Sequence, residues 1–187
     1  MTGTSTVAAR TIVVAGTAGG VGTTTVAALV SHPVGAMELL DHTSGTLVSR
    51  GAVAVPSSGS GYAVQDLGAH ALGQGILTLV APTAIPVIVT SSTIAGMTDA
   101  TASLRAIIAA KPAAAPILVV ADVFGRRDVS AASRGIRMEF GQVTIVFLPQ
   151  DRALAAGGLI QLSRLSARSR QAIDQVVRRA MAIGSGS

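Results

Sequence analysis

The sequence predicts an α/β fold in which a mostly parallel β-sheet is flanked by helices on both faces. Six short apolar runs rich in β-branched residues alternate with segments whose apolar residues recur every three or four positions. This alternation is typical of parallel sheets covered on both sides. The composition agrees, because hydrophobic residues make up 49% of the chain and aromatic residues only 2%. A core of Ala, Val, Ile and Leu suits strands that are buried on both faces.

The elements follow in order along the chain. The predicted strands are the runs 11–16, 34–40, 62–67, 85–90, 116–121 and 143–149. Segments 24–31, 69–80, 96–110 and 128–140 carry helical spacing, and the Gly, Ser and Pro of 49–61 predict a loop or short edge strand. From Asp151 onward a further helical pattern has its arginines largely opposite an apolar face. That face comprises Leu162, Leu165, Ala172, Ile173, Val176, Val177 and Ala180.

The length of 187 residues fits one domain. We predict a single domain over 1–183, with 184–187 as a flexible tail or a remnant of cloning. No apolar run reaches the roughly 18 residues of a membrane span, and the N-terminus lacks a signal peptide's basic start and cleavage site. The sequence therefore predicts a cytoplasmic protein. The absence of cysteine excludes thiolate metal sites and cysteine nucleophiles.

The stretch GTAGGVGTTT at 16–25 joins the first predicted strand to the first predicted helix. In this geometry backbone N–H groups and a helix N-terminus converge on an anion. In a general phosphate-binding loop, a lysine after the last glycine neutralises the terminal phosphates and the next hydroxyl ligates magnesium. Thr23 and Thr24 occupy those positions here. The alternative is a tight glycine turn in which Thr23 to Thr25 cap the helix.

This loop resembles that of the ParA/MinD family of P-loop ATPases, of the SIMIBI class, which reads Lys-Gly-Gly-x-Gly-Lys-Thr-Thr. Alanine and threonine replace the two lysines in this chain. The resemblance implies a P-loop NTPase architecture and a cofactor of ATP or ADP with Mg²⁺, with no cofactor as the alternative. The nucleotide-binding residues it implies in the loop are Ala18, Gly19, Gly20, Val21, Gly22, Thr23, Thr24 and Thr25.

Later segments extend the resemblance. MELLDHTSG is similar to the family's second strand, which ends in an aspartate that acts on the catalytic water, and YAVQDLGA to its Walker B strand. The resemblance implies a catalytic role for Asp41 and a Mg²⁺ site at Thr24, Asp41 and Asp66. VFLPQD is similar to a segment near the adenine, which implies nucleotide contacts by Pro149 and Asp151. In the alternative, Asp41 and Asp66 cap turns, and Asp151 caps the helix that begins near Arg152.

The two missing lysines change the expected chemistry. A charge-assisted contact contributes about 1.5–3 kcal/mol, so threonine at 23 should weaken triphosphate binding about tenfold to hundredfold. In ParA-like dimers the first lysine reaches across to the second nucleotide, so Ala18 implies little or no hydrolysis. An arginine from elsewhere could replace the lysine, for instance Arg126 or Arg127.

The charged residues are mainly arginines. The chain has thirteen arginines and one lysine, and its formal net charge is +5. ParA-like proteins bind DNA without sequence preference through basic residues in their C-terminal part, which implies the same role here. The alternative is a solvated helix face that keeps the protein soluble. A MinD-like membrane helix is disfavoured, because 171–183 has no bulky aromatic residue. The DNA-binding candidates are Arg164, Arg168, Arg170, Arg178 and Arg179.

The resemblance leads to one main functional hypothesis. A divergent ParA/MinD-like protein would position or segregate DNA or a cellular assembly. It would act by nucleotide-modulated or nucleotide-independent binding and dimerisation, as a homodimer or with a different partner protein, rather than by fast ATP turnover. One alternative is a slow ATPase in which an arginine replaces the loop lysine. A second is a nucleotide-free scaffold of a secretion or pilus system.

Overall fold

The computed structural model describes residues 10–51, 61–123, 129–155 and 158–185. The strands are β1 (Arg10–Gly16), β2 (Glu38–Asp41), β3 (Tyr62–Asp66), β4 (Ala84–Ser91), β5 (Ile117–Ala121) and β6 (Thr144–Leu148). They form one six-stranded sheet in the order β2-β3-β1-β4-β5-β6, and every neighbouring pair is parallel. The predicted parallel sheet is confirmed.

Helices cover both faces of this sheet. They are α1 (Thr23–Val34), α2 (Thr46–Ser49), α3 (Gly75–Leu79), α4 (Ile94–Ala110), α5 (Ser130–Glu139), α6 (Arg152–Ala155) and α7 (Ala167–Ser185), and a short 3-10 helix spans Leu162–Arg164. Side chains alternate between the faces of a strand. Ile12 and Val14 of β1 therefore pack with α1 and α7, while Val13 and Ala15 pack with α4 and α5.

Two elements are shorter than the sequence predicts. The run 34–40 was predicted as strand, but α1 continues to Val34 and ends at Gly35, whose φ of 57° is left-handed. The strand β2 therefore starts only at Glu38. In the predicted helix 69–80, only Gly75–Leu79 is helical, after Gly73 with a φ of 70°. Glycines in the left-handed conformation interrupt regular structure at both places.

The C-terminal pattern was predicted as one helical face, and the structure divides it into α6, the 3-10 helix and α7. The apolar face is confirmed on α7, where Ala172, Ile173, Val176, Val177 and Ala180 are buried. The helix continues through Ser185, and residues 186–187 lie outside the described residues, as do 52–60 of the predicted loop or edge strand. No helix in the described ranges is long and apolar enough to cross a membrane.

The strand order determines where a ligand site can form. Since all strands are parallel, the loops after their carboxyl ends meet at one edge of the sheet. The central strand β1 lies between β3 and β4, which is where the chain changes its direction of winding. In open α/β sheets, ligands bind in the crevice at this switch point. The loop 16–25 follows β1 and therefore occupies that crevice.

Candidate functional site

Glycine conformations shape the loop after β1. Gly20 has a φ of 76° and Gly22 a φ of 92°, a region that residues with a Cβ rarely adopt. A Cβ built at Gly19, Gly20 or Gly22 would meet no atom within 4 Å. The glycines at 20 and 22 are thus needed for backbone conformation, and the space beside this part of the loop is open.

The amides of this loop are available to a ligand. In the described part of the chain, the N–H groups of Gly19, Gly20 and Gly22 donate to no protein acceptor. Gly22 is the N-cap of α1, so the helix begins without a side-chain cap. Helix N-termini carry unsatisfied N–H groups and a partial positive charge, which attract anions. The alternative in which Thr23 to Thr25 cap the helix lacks a side-chain cap hydrogen bond, and anion binding at the loop stays a prediction.

The side chain at position 23 turns inward. Thr23 is only 7% exposed, and a Cβ built on Gly16 would lie 2.1 Å from its Oγ1. Gly16 is therefore required by this close approach. The Thr23 hydroxyl packs over the end of β1, so the position at which the related loops carry a lysine brings no charge to the open side of the loop.

Thr24, Asp41 and Asp66 come together at the ends of β2 and β3. Asp41 lies opposite Asp66 in the strand register. Oδ1 of Asp66 accepts the Gly68 N–H at 2.9 Å, and the Thr24 hydroxyl lies near enough to this carboxyl group to influence its pKa. Oδ2 is buried without a hydrogen-bond partner. A hydroxyl beside a carboxylate with a free oxygen suits Mg²⁺, which prefers oxygen ligands.

Burial raises the pKa of Asp66, and the nearby negative charge of Asp41 adds to this effect. The hydrogen bond from Gly68 and the nearby Thr24 hydroxyl act in the opposite direction and are outweighed. Among the described residues, no group of three His, Cys, Asp or Glu side chains could hold a metal ion. Any Mg²⁺ here would depend on Thr24 and on ligands from outside the chain.

Replacing Asp66 with asparagine is expected to stabilise the fold by about 1–2 kcal/mol at pH 7, because it removes a buried carboxylate with an unpaired oxygen. The unfolded carboxyl ionises near its ordinary pKa of 3.8, whereas the folded pKa is higher. Wild-type stability should therefore fall as the pH rises from about 4, and the advantage of the variant should grow over that range.

Denaturant unfolding at a series of pH values measures this difference. Asp99→Asn is the control, since Asp99 is exposed on α4 and its substitution should change stability by less than about 0.5 kcal/mol. An Asp66→Asn variant that is less stable than the wild type at pH 7 would contradict this prediction and show that the ionised carboxylate stabilises the fold.

Asp41 is held by the turn that follows it. Its Oδ1 accepts the Thr43 N–H at 2.7 Å and the Thr43 hydroxyl at 2.5 Å, and its Oδ2 accepts the Leu47 N–H at 3.0 Å. Burial opposes ionisation, but these bonds and the nearby Gly45 N–H outweigh it and lower the pKa of Asp41. A carboxylate with occupied lone pairs and a lowered pKa is a weak proton acceptor. The turn-capping alternative describes these contacts, and the catalytic role remains a prediction.

A cavity of about 190 Å³ lies beside the loop. Gly20, Gly22 and Thr25 line one side of it, and Pro149 and Asp151 line another. Its volume is below the roughly 300–1,000 Å³ of pockets that enclose whole drug-sized ligands, so it would hold only part of a nucleotide. The structure thus places Pro149 and Asp151 beside the glycine loop, although nothing in this geometry assigns them a ligand contact.

Both carboxylate oxygens of Asp151 accept hydrogen bonds from within the protein. Oδ1 accepts the Ala153 N–H at 3.0 Å, while Oδ2 accepts the Ser166 N–H at 2.8 Å and the Ser169 hydroxyl at 2.6 Å. Burial opposes ionisation, but the bonds from Ser169, Ser166 and Ala153 prevail and lower the pKa to about 2. Asp151 therefore caps α6, as the simpler alternative predicts, and also ties α6 to the start of α7.

Arg50 also lines this cavity, although it is not among the site residues predicted from the sequence. It follows α2 in a stretch with no recognisable motif, so no pattern marks it. The arginines proposed to replace the lysine, Arg126 and Arg127, lie outside the described residues.

The arginines predicted to bind DNA do not form one patch. Arg164 lies in the 3-10 helix, and the other four lie on α7. At 100° per residue, Arg168 and Arg179 border one edge of the buried face, Arg170 borders the other, and Arg178 faces away from it. Arg179 is partly buried, with no hydrogen-bond partner for its Nε. Positive charge is thus distributed around α7.

The fold has solved relatives. The model superposes on the MinC:MinD cell division protein complex of Aquifex aeolicus with a TM-score of 0.60 and 18% identity, covering 93% of this chain and 96% of that one. It superposes on a ParA family ATPase from Chlorobium tepidum TLS with a TM-score of 0.61 and 12% identity, covering 93% and 99%. The chain has the ParA/MinD P-loop fold. No family model and no curated protein matches its sequence.

The ParA/MinD fold confirms the architecture that the resemblance implied. At these identities the similarity concerns the backbone, and the roles of individual side chains have to be argued from the site itself. The glycine loop 16–25 of this chain follows β1, and its correspondence with the family's phosphate-binding loop stays a prediction.

Proposed function

We propose that this chain is a nucleotide-modulated protein that positions or segregates DNA or a cellular assembly in the cytoplasm, and that it acts by binding and dimerising rather than by fast ATP turnover. The observation that carries the proposal is the loop of unpaired amides at Gly19, Gly20 and Gly22, beside a cavity at the carboxyl edge of the sheet. A loop that served only as a turn would have no need of this open, donor-rich space.

The residues present suit ATP or ADP with Mg²⁺. The amides from Gly19 to Thr24 would contact the phosphates, Thr24 and Asp66 would contact the metal, and Pro149 would border the nucleoside side of the cavity. A bound nucleotide supplies the ligand-dependent state on which binding and dimerisation would depend. The buried unpaired Oδ2 of Asp66 supports the metal assignment.

Three features of the chain argue for little or no hydrolysis. Ala18 has no charge with which to stabilise a second nucleotide across a dimer, and Thr23 directs its hydroxyl toward Gly16. Asp41 has its oxygens engaged by Thr43 and Leu47, so it accepts a proton poorly. Electrostatic stabilisation is the main contribution in phosphoryl transfer, and this loop has lost both of its charges.

Thermal stabilisation and phosphate release test this proposal together. A ligand at 100 times its Kd stabilises the folded state by about 2.7 kcal/mol, so millimolar Mg-ATP should raise the melting temperature while phosphate release stays at background. No stabilisation by ATP, ADP or GTP would favour the nucleotide-free scaffold of a secretion or pilus system. Phosphate release that disappears in Asp41→Ala would favour the slow ATPase.

The proposed partner is a second copy of the chain or a different protein. One structural neighbour was solved as a complex of MinC with MinD, which is a property of that neighbour and supports the proposal by analogy of fold. The mass in solution, measured with and without Mg-ATP, should distinguish a nucleotide-dependent homodimer from a monomer that needs another protein.

Non-specific DNA is the proposed target of the exposed arginines. We expect binding to weaken steeply with salt, and Arg164→Ala, Arg168→Ala and Arg178→Ala combined to reduce the slope of log K against log salt by about 2–3. Mobility shifts across a salt series measure this slope. Arg134→Ala, Arg137→Ala and Arg152→Ala combined form the control, because these side chains are exposed on α5 and α6. A salt-independent affinity, or equal slopes in both triple variants, would exclude DNA as the target of these three residues.

A further inference from the structure

We infer that Arg50 supplies the positive charge that meets a nucleotide phosphate in this site, the role for which the loop has no lysine. The inference rests on the proposed nucleotide binding and adds a residue and a ligand class to it. The ligand class is a nucleoside diphosphate or triphosphate, recognised by its phosphates. Arg50 would act as a binding residue, with no part in a chemical step.

The guanidinium of Arg50 has a nitrogen without an acceptor among the described residues. Its Nη1 is buried and has no hydrogen-bond partner, and Arg50 lines the same cavity as Gly20, Gly22 and Thr25. A buried charged donor without an acceptor is unfavourable, because the desolvation of its N–H group is not compensated. Because Nη1 itself is shielded from solvent, an anion in the cavity would become its acceptor only when the Arg50 side chain turns toward the cavity, and that contact would recover the loss.

The backbone of Arg50 is fixed in place on both sides. Its N–H donates to the carbonyl oxygen of Thr46 at 3.1 Å, and its own carbonyl accepts the Ile160 N–H at 3.1 Å. The carbonyl of the next residue, Gly51, accepts a hydrogen bond from Nε2 of His32 on α1 at 2.8 Å. Because α1 begins at the glycine loop, this contact couples the position of Arg50 to that of the loop. With its backbone fixed, Arg50 has only its side-chain torsions to order when it binds a ligand.

The acidic residues near the cavity are not partners of Arg50. Asp122 and Asp151 also line the cavity, but Asp151 is saturated by donors from Ala153, Ser166 and Ser169. Among the described residues, the structure places no carboxylate within 4.0 Å of the Arg50 guanidinium. The charge is therefore free to meet an anion that comes from solution.

The donors around the cavity determine which anion fits. The unpaired amides of Gly20 and Gly22 and the N-terminus of α1 lie on the loop side, and Arg50 adds a planar fork of N–H groups that matches phosphate oxygens. A single carboxylate could satisfy Arg50 but would leave the loop amides unpaired. A chain of two or three phosphates would offer acceptors to both sets of donors, so the inferred ligand is a nucleoside diphosphate or triphosphate.

Calorimetric titration with Mg-ATP, Mg-ADP and adenosine tests this assignment. Arg50→Ala should weaken ATP and ADP binding at least tenfold and leave adenosine binding unchanged, and Arg50→Lys should recover part of the loss because it restores the charge. Arg137→Ala is the control, since Arg137 is exposed on α5, and it should match the wild type. Arg50→Met keeps the length of the side chain and replaces Arg50→Ala if that variant does not fold.

Each outcome of this titration supports or overturns the proposed role of Arg50. Wild-type binding of ATP that is unchanged in Arg50→Ala or Arg50→Met would overturn the role of Arg50 and leave the proposed nucleotide site intact. An equal loss for ATP and adenosine would also overturn it, because Arg50 would then only shape the cavity. If the wild type binds neither ATP nor ADP, the proposed nucleotide site fails and the assignment of Arg50 fails with it.

Discussion

Asp151→Ala is expected to lower the free energy of unfolding by about 3 kcal/mol, because it removes a buried charged acceptor and leaves its donors unpaired. Those donors are the N–H groups of Ala153 and Ser166 and the hydroxyl of Ser169. The carboxylate joins α6 to the start of α7, and α7 covers one face of the sheet. Denaturant unfolding at pH 7 measures the loss.

The pH dependence supplies a second readout for Asp151. Its pKa is lowered from an ordinary 3.8 to about 2 in the folded protein. The carboxylate therefore contributes its full stability above about pH 4, and this contribution disappears as the pH falls toward 2. The difference between wild type and Asp151→Ala should shrink over the same interval. Asp174→Ala, at an exposed position of α7, is the control, and an equal loss in both variants would contradict the account.

Thr23→Lys is expected to raise the affinity for ATP about tenfold to hundredfold, which corresponds to one charge-assisted contact of about 1.5–3 kcal/mol. Thr23 starts against Gly16 at the end of β1, and the longer lysine would extend past that contact to bring its ammonium group to phosphates held by the loop. Adenosine affinity should not change, because adenosine has no phosphate. Calorimetry on the wild type and the variant gives both values.

Thr98→Lys is the matched control for this substitution. Thr98 is exposed on α4, so it adds the same net charge without entering the loop. A similar gain in both variants would point to long-range attraction instead of a local contact. Unchanged ATP affinity in a Thr23→Lys variant that keeps the wild-type melting temperature would show that the loop does not hold phosphates.

The sheet could be predicted because its strands are continuous apolar runs. The central strand β4 is buried along its whole length, and its sequence is a largely apolar run that indicates such burial. The edge strand β2 is only partly buried, with a weaker pattern, and its start was placed four residues early at Val34 because the end of α1 is also apolar. The left-handed Gly35 that separates the two elements could not be distinguished from an ordinary strand glycine.

Those parts of the site that are formed by residues close together in the sequence could be predicted. The glycine loop and the positions of Asp41 and Asp66 at strand ends follow from local patterns, and strand pairing then brings the two aspartates opposite each other. The position of Arg50 depends on contacts with Ile160 and with His32 of α1, which are distant in sequence. Likewise, Ser166 and Ser169 reach Asp151 only when α7 packs. Such long-range contacts leave no periodic signal in a single sequence.

The central claim is that the loop 16–25 holds a nucleotide through its backbone amides, without a loop lysine and with little or no hydrolysis. A calorimetric titration of the wild-type protein with ATP, performed with and without Mg²⁺, tests it most directly. The account predicts saturable binding that is tighter with Mg²⁺, because Thr24 and Asp66 would contact the metal. No heat and no saturation at millimolar ATP under either condition would contradict it.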